Sequence, residues 1–191
     1  MNINVPPEFV PILQRAAAES GVPYNVLAAK IQQESGFRPG ARGAAGEIGI
    51  SQVMPRTAAQ PGYGLSPIAL EALSDPAQAI PWGARYLAAR ARAAGVRNWN
   101  DPAQAARGLA AYNGTGPQAA RYGRQVAQMA GMVLPPEREM QPVGDVPGQM
   151  PEGLWTKAWA DQQRGAAPVR NADAEATQQV LQMMRMMGTI R

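Results

Sequence analysis

Apolar positions along the first half of the chain recur at intervals of three and four. Phe9, Ile12, Leu13, Ala16 and Ala17 form one such stripe, and Gly21 follows it. That spacing predicts a helix over about Pro7–Ser20, stopped by the glycine. A second helix is expected over about Asn25–Ser35, ended by Gly36. Residues 36–65 break the periodicity with glycine and proline, apart from a short helical piece near Ser51–Ala59. Ser66-Pro67 and Asp75-Pro76 each pair a capping side chain with a proline suited to the first helical position. The second pair opens a helix to about Ala94 with Gly95 as its stop, and Pro81 should kink it or delay its start. Asp101-Pro102 repeats the signal for a helix to about Tyr112, and a last helix runs from about Pro117 to Gly131. GEIGISQV is the one candidate for a short hairpin, so the expected class is mainly α.

The pattern changes at about Val133. PPEREMQPVGDVPGQMPEG holds five prolines and no apolar period, which reads as an extended linker. Beyond it, Leu154, Trp155 and Trp159 share a helical face, and a final helix over about Ala172–Met187 is rich in methionine. Methionine suits adaptable contact surfaces. The tail is therefore expected either to dock on a protein partner or to fold back on the body. The chain divides into residues 1–133 as the folded domain, 134–153 as linker and 154–191 as a helical, Met-rich tail.

Composition narrows the chemistry. The 191 residues include no cysteine and no histidine. Disulfides, thiol nucleophiles, thiolate metal sites and any imidazole base are excluded. Without a separate cofactor, proton transfer must run on Asp, Glu, Tyr, Lys or the backbone, which favours carboxylate chemistry such as glycoside cleavage. No metal and no cofactor is expected. The net charge is +4. The excess lies in the first 133 residues and suits an anionic polymer as well as an ordinary soluble surface. No helix-turn-helix or RNA-binding signature is present, so specific nucleic-acid binding is not expected. No apolar run is long enough to span a membrane. The opening MNINVPPEFVPILQ has no basic stretch leading into an apolar one, so a secretory signal is not expected there.

Glu34 is the acid of interest. With Leu27 and Ile31 it stands at i, i+4 and i+7, on the stripe that faces the core. Burial should raise its pKa and let it keep a proton for a glycosidic oxygen. The opposing reading turns it into solvent at the helix end. Its surroundings bear on the choice. Glu34-Ser35 ends a helix, GISQVMP follows at 49–55, Asp75-Pro76 comes with Gly83 and Tyr86-Leu87, and AYN closes the series at 111–113. Together these blocks resemble the lytic transglycosylase (SLT) family with a goose-type-lysozyme-like fold, over about residues 8–130. Two departures stand out. Ile50-Ser51 replaces the family's Leu-Met, which puts the sugar groove at Ser51 in question, and Ala79 replaces an Asn.

The resemblance implies a role for each matching residue. Glu34 would be general acid and then general base. Ser35 would orient the glycan or the acid, Gln52 would hydrogen-bond a sugar and shape the loop, Tyr112 would position the Glu34 carboxyl, and Asn113 would bind an N-acetyl sugar. The implied reaction is cleavage of the β-1,4 bond between N-acetylmuramic acid and N-acetylglucosamine, with closure of a 1,6-anhydro ring. Glu47 is the nearest second acid, and a loop or surface role is expected for it. The setting that fits is wall penetration by a phage virion delivered to the host periplasm, or by a secretion machine. The competing functions are a hydrolytic muramidase and an inactive lysozyme-like protein that serves as a structural virion or wall-binding component.

Overall fold

The computed structural model describes residues 3–135. Most of the proposed linker, and all of the Met-rich tail, lie outside the described residues.

Among the described residues six α-helices follow one another: α1 (Val10–Ser20), α2 (Tyr24–Ser35), α3 (Pro55–Ala59), α4 (Pro76–Ala93), α5 (Pro102–Asn113) and α6 (Gly116–Met129). The five longer ones pack in a closed cycle, α1 on α2, α2 on α6, α6 on α5, α5 on α4 and α4 on α1. Leu13, Val26, Leu27, Ile31, Leu87, Leu109 and Val126 fill the space between them. The mainly helical expectation is met, and most helix ends fall where the local chemistry put them. Gly21 and Gly36 terminate α1 and α2 in the left-handed conformation (φ 74° and 59°). The Asp75 and Asp101 carboxylates accept the first backbone N–H groups of α4 and α5.

Three expectations need correction. Ser66-Pro67 opens no helix, and the nearest turn is a 3-10 segment at Glu71–Ser74. The Ser66 carbonyl instead accepts the Trp82 indole N–H (3.0 Å), and the Ile68 N–H donates to the Ala58 carbonyl (3.0 Å). Tertiary pairing has taken the groups that a helix would have used. Pro81 does not delay α4, which begins at Pro76. It cannot donate to the Ala77 carbonyl one turn back, and the Arg15 guanidinium donates there instead (3.2 Å). The hairpin expected in GEIGISQV shrinks to single antiparallel bridges, Arg42 with Ile48 and Ile48 with Val53.

Those bridges hold a loop that matters for the site. Gly49 (φ 76°) and Gln52 (φ 47°) both take left-handed backbone between the paired Ile48 and Val53. At Gly49 a Cβ would overlap the Leu73 carbonyl, so only glycine fits. A second apolar cluster, made by Ile48, Val53, Ala58, Leu73, Trp82 and Tyr86, anchors the loop on α4. Tyr112 packs against both clusters, where the loop meets the helical core.

Candidate active site

Glu34 is the penultimate residue of α2 and is partly exposed. The Tyr122 hydroxyl donates to its Oε1 at 2.6 Å. This distance is in the range of a strong O–H···O⁻ bond. Desolvation by the surrounding atoms pushes the Glu34 pKa up from its ordinary value of 4.5. The positive charge of Lys30 and the Tyr122 hydrogen bond pull it down, and the Glu47 carboxylate pushes it up again. The C-terminal end of a helix is also a poor place for a negative charge. The net effect is an acid that holds its proton to higher pH than a free carboxyl does.

Tyr112 does not position this carboxyl by hydrogen bonding, contrary to expectation. Its hydroxyl donates to the Ser51 carbonyl (2.9 Å) and accepts from Lys30 Nζ (2.8 Å). The phenol on Glu34 comes from α6 rather than α5, because α6 is the helix packed against α2. Both phenols have pKa values well above their ordinary range, through burial first and the nearby Glu34 charge second, so both stay protonated.

The remaining expected residues divide. Ser35 is buried, and its hydroxyl bonds to the Ile50 carbonyl (2.8 Å) and lies 3.3 Å from the Ile31 carbonyl. It ties the end of α2 to the 49–53 loop, and its hydroxyl makes no bond to Glu34. Ser51 is 1% exposed and cannot line a groove, while its carbonyl receives both Lys30 and Tyr112. Gln52 is buried too. Its amide nitrogen donates to the Gly49 carbonyl (2.7 Å) and sits 3.3 Å from the Ala41 carbonyl. Those bonds steady a left-handed residue that would otherwise cost about 1–3 kcal/mol. The Gln52 amide donor is spent on the loop backbone. Asn113 ends α5 and stays partly exposed, next to Gly114.

Three contributors were not anticipated. Glu47 is not on the surface: it is 9% exposed and accepts the Ala45 N–H on Oε2 (3.0 Å). A Cβ at Gly43 would overlap both this carboxylate and the Gln52 side chain, so the glycine makes room for them. Tyr122 belongs to the apolar stripe of α6 with Ala119 and Val126, a pattern that reads as core. Lys30 is 2% exposed, and burial depresses its pKa to about 8. Its position four residues before Glu34 was the available signal. Among the described residues no cluster of potential metal ligands occurs.

This arrangement provides one proton-holding, partly exposed carboxyl, a phenol that supports its ionised form, and a hydrogen-bonded loop beside it. Such a set can give up one proton and take one back. The Transglycosylase SLT domain model matches residues 11–132, from the first turn of α1 to just beyond α6. The chain belongs to that family, and with the helical architecture this bears out the resemblance and the fold class drawn from the motifs.

Two strains of Haemophilus influenzae, PittGG and KW20 / Rd, supply curated relatives called membrane-bound lytic murein transglycosylase C. Each is 35% identical over 85 residues, which is 42% of this chain and 24% of the relative. The chain thus spans about a quarter of the length of the curated relatives it matches. A solved structure of an inactive mutant of lytic transglycosylase Slt from Pseudomonas aeruginosa aligns with 85% of this chain and 25% of its own, at 22% identity and a TM-score of 0.44. No helix among the described residues is long and apolar enough to cross a membrane.

Proposed function

We propose that the protein is a peptidoglycan lytic transglycosylase that cuts the β-1,4 bond between N-acetylmuramic acid and N-acetylglucosamine. The observation that carries this reading is the Glu34 carboxyl, raised in pKa, partly exposed and bonded to Tyr122. Protonated Glu34 gives its proton to the bridging oxygen as that bond breaks. The oxocarbenium-like sugar is supported by its own N-acetyl group. The Glu34 carboxylate then takes the proton of the C6 hydroxyl, whose oxygen closes the 1,6-anhydro ring. Glu34 ends as it began, and no water is consumed. Asn113, partly exposed at the end of α5, is assigned to the N-acetyl sugar.

A second reading is favoured by one observation. Glu47 is buried, held by a backbone N–H and close enough to raise the Glu34 pKa. A second ordered carboxylate is what a hydrolytic muramidase would use to activate water. Digestion of purified sacculi separates the two. Anhydro ends on the released muropeptides support the transglycosylase, and reducing ends support the hydrolase. Binding without release would instead make this a wall-binding or structural protein.

The biological setting proposed is local opening of the wall by a virion or a secretion machine, with residues 134–191 as the segment that engages the partner. The methionine-rich sequence there is the support for this. A pull-down that loses its partners when 134–191 are deleted tests it, and unchanged partners refute it.

A further inference from the structure

Lys30 is a charge buried inside the helical core, and the reaction outlined above does not use it. Its ammonium has three donors. One reaches the Ser51 carbonyl (3.1 Å) and one the Tyr112 hydroxyl (2.8 Å), with Nζ 4.0 Å from the centre of the Tyr112 ring. Both acceptors are neutral. Ion pairs in contact occur elsewhere among the described residues, at Arg15–Glu19 and Arg85–Glu19, whereas Lys30 has no carboxylate within contact. Removing an ammonium from water without a contact partner is unfavourable by several kcal/mol. A methionine of similar length would fill the same space without that cost. The position therefore calls for a role in which the charge itself counts.

Glu34 lies one helical turn beyond Lys30, at i+4 on the same face. Gly83 packs closely over this spot: a Cβ there would stand 2.9 Å from Ser51 Oγ and 3.9 Å from Lys30 Nζ. The lysine cannot swing away, because the Ser51 carbonyl, the Tyr112 hydroxyl and α4 enclose it. We propose that Lys30 is a positioning residue of the site: its fixed ammonium stabilises the Glu34 carboxylate left after proton donation and anchors the 49–53 loop to α5.

The role in the reaction rests on the function proposed above. The charge coupling does not. The groups that share this environment are Glu34 and Lys30 on α2, Tyr112 on α5, Tyr122 on α6, Tyr86 and Arg90 on α4, and Glu47 in the loop. Both tyrosines beside the acid stay protonated, so they put no charge beside Glu34, and Lys30 is a positive neighbour on its own helix. Its proton is never transferred. Lys30 remains an ammonium while Glu34 loses and regains its own proton. Distance matters here, since a contact pair would ionise Glu34 in the resting enzyme, whereas a separated charge in a poorly screening interior favours the carboxylate without forcing it.

The chain has two lysines, Lys30 and Lys157. Lysine 13Cε resonances can therefore be followed by NMR through a pH titration of the full chain. In the unmodified protein one resonance should titrate near pH 8. In Glu34→Gln its midpoint should fall, because the carboxylate that favours the ammonium is gone. In Lys30→Met the Glu34 13Cδ midpoint should rise by the same amount, since coupling between two sites is reciprocal. Lys30→Met should also lose on the order of tenfold in kcat with little change in KM, and its alkaline limb of activity should move to higher pH. A lysine midpoint that is the same in the unmodified protein and in Glu34→Gln overturns the proposal. So does a folded Lys30→Met with unchanged kcat and pH profile. Should Lys30→Met fail to fold, the comparison with Glu34→Gln decides alone. Intact coupling in a protein that cleaves no sacculi overturns the proposed reaction, and Lys30's part in it, while the electrostatic assignment stands.

Discussion

Tyr122→Phe removes one oxygen atom from the side chain that touches the acid. The ring stays, so the packing of Tyr122 with Val126 and Ala127 in the helical core is kept. What is lost is the 2.6 Å bond to Glu34 Oε1. That bond helps the ionised carboxyl more than the protonated one, which is why it lowers the Glu34 pKa. A hydrogen bond to a charged group contributes about 1.5–3 kcal/mol. At about 1.36 kcal/mol per decade, the loss of kcat should fall in the range of roughly 10- to 150-fold.

Direction is as informative as size. In the proposed reaction Glu34 must be protonated at the start, so activity should be lost as pH rises through its pKa. Without the phenol that pKa climbs further, and the alkaline limb should move to higher pH while the maximum falls. The assay is release of soluble muropeptides from purified sacculi, measured as initial rates across pH, with thermal unfolding to confirm the fold. A Tyr122→Phe protein with wild-type kcat and an unmoved alkaline limb would refute the assignment of this phenol to the acid.

Three further outcomes follow from the same geometry. Glu34→Gln should be more stable than the parent at pH 7. The folded pKa of Glu34 lies above its ordinary 4.5, so folding takes up a proton between the two values; parent stability is full below the unfolded pKa and declines as pH rises toward the folded one. Melting curves should therefore converge below that range, and a variant less stable at pH 7 would contradict a desolvated carboxyl. Ser51→Met restores the family's residue at a site that is 1% exposed and lies against Gly83, so overpacking should cost about 1–3 kcal/mol in urea unfolding; an unchanged midpoint would place the side chain elsewhere. Gly123→Ala puts a Cβ onto the Ala106 carbonyl and the Ala110 backbone nitrogen where α6 crosses α5, and should destabilise by about 1–3 kcal/mol or more in the same assay.

Helix ends were legible in the sequence where a local group decides them. Gly21, Gly36, Asp75 and Asp101 act through their own backbone or side chain, and they stand at or beside the ends of α1, α2, α4 and α5. Ser66-Pro67 carries the same signal and yields no helix, because Trp82 and Ala58 claim neighbouring backbone groups from a distance in the chain. The site divides the same way. Glu34 is marked by its stripe. Which of two tyrosines reaches it is not, since both Tyr112 and Tyr122 lie on apolar helix faces and the choice depends on which helix packs on α2. Ser35, Ser51 and Gln52 are polar residues beside the acid and read naturally as ligands. In the fold they satisfy buried carbonyls, a demand that no spacing reveals.

The proposed reaction places two opposite requirements on its acid, Glu34. It must keep its proton until a sugar is in place, and it must survive as a carboxylate once the proton has gone. Burial meets the first and works against the second. A donor that favours the carboxylate meets the second, but in excess it ionises the acid too early. The structure resolves this by grading the contacts. The group in direct contact is a phenol, which supports the charge without carrying one. The full positive charge of Lys30 is held off by two neutral acceptors, and the like charge of Glu47 acts against it. If this balance is what sets the pKa, moving the cation into contact should be worse than removing it, because a contact ion pair would empty Glu34 of its proton before the glycan arrives.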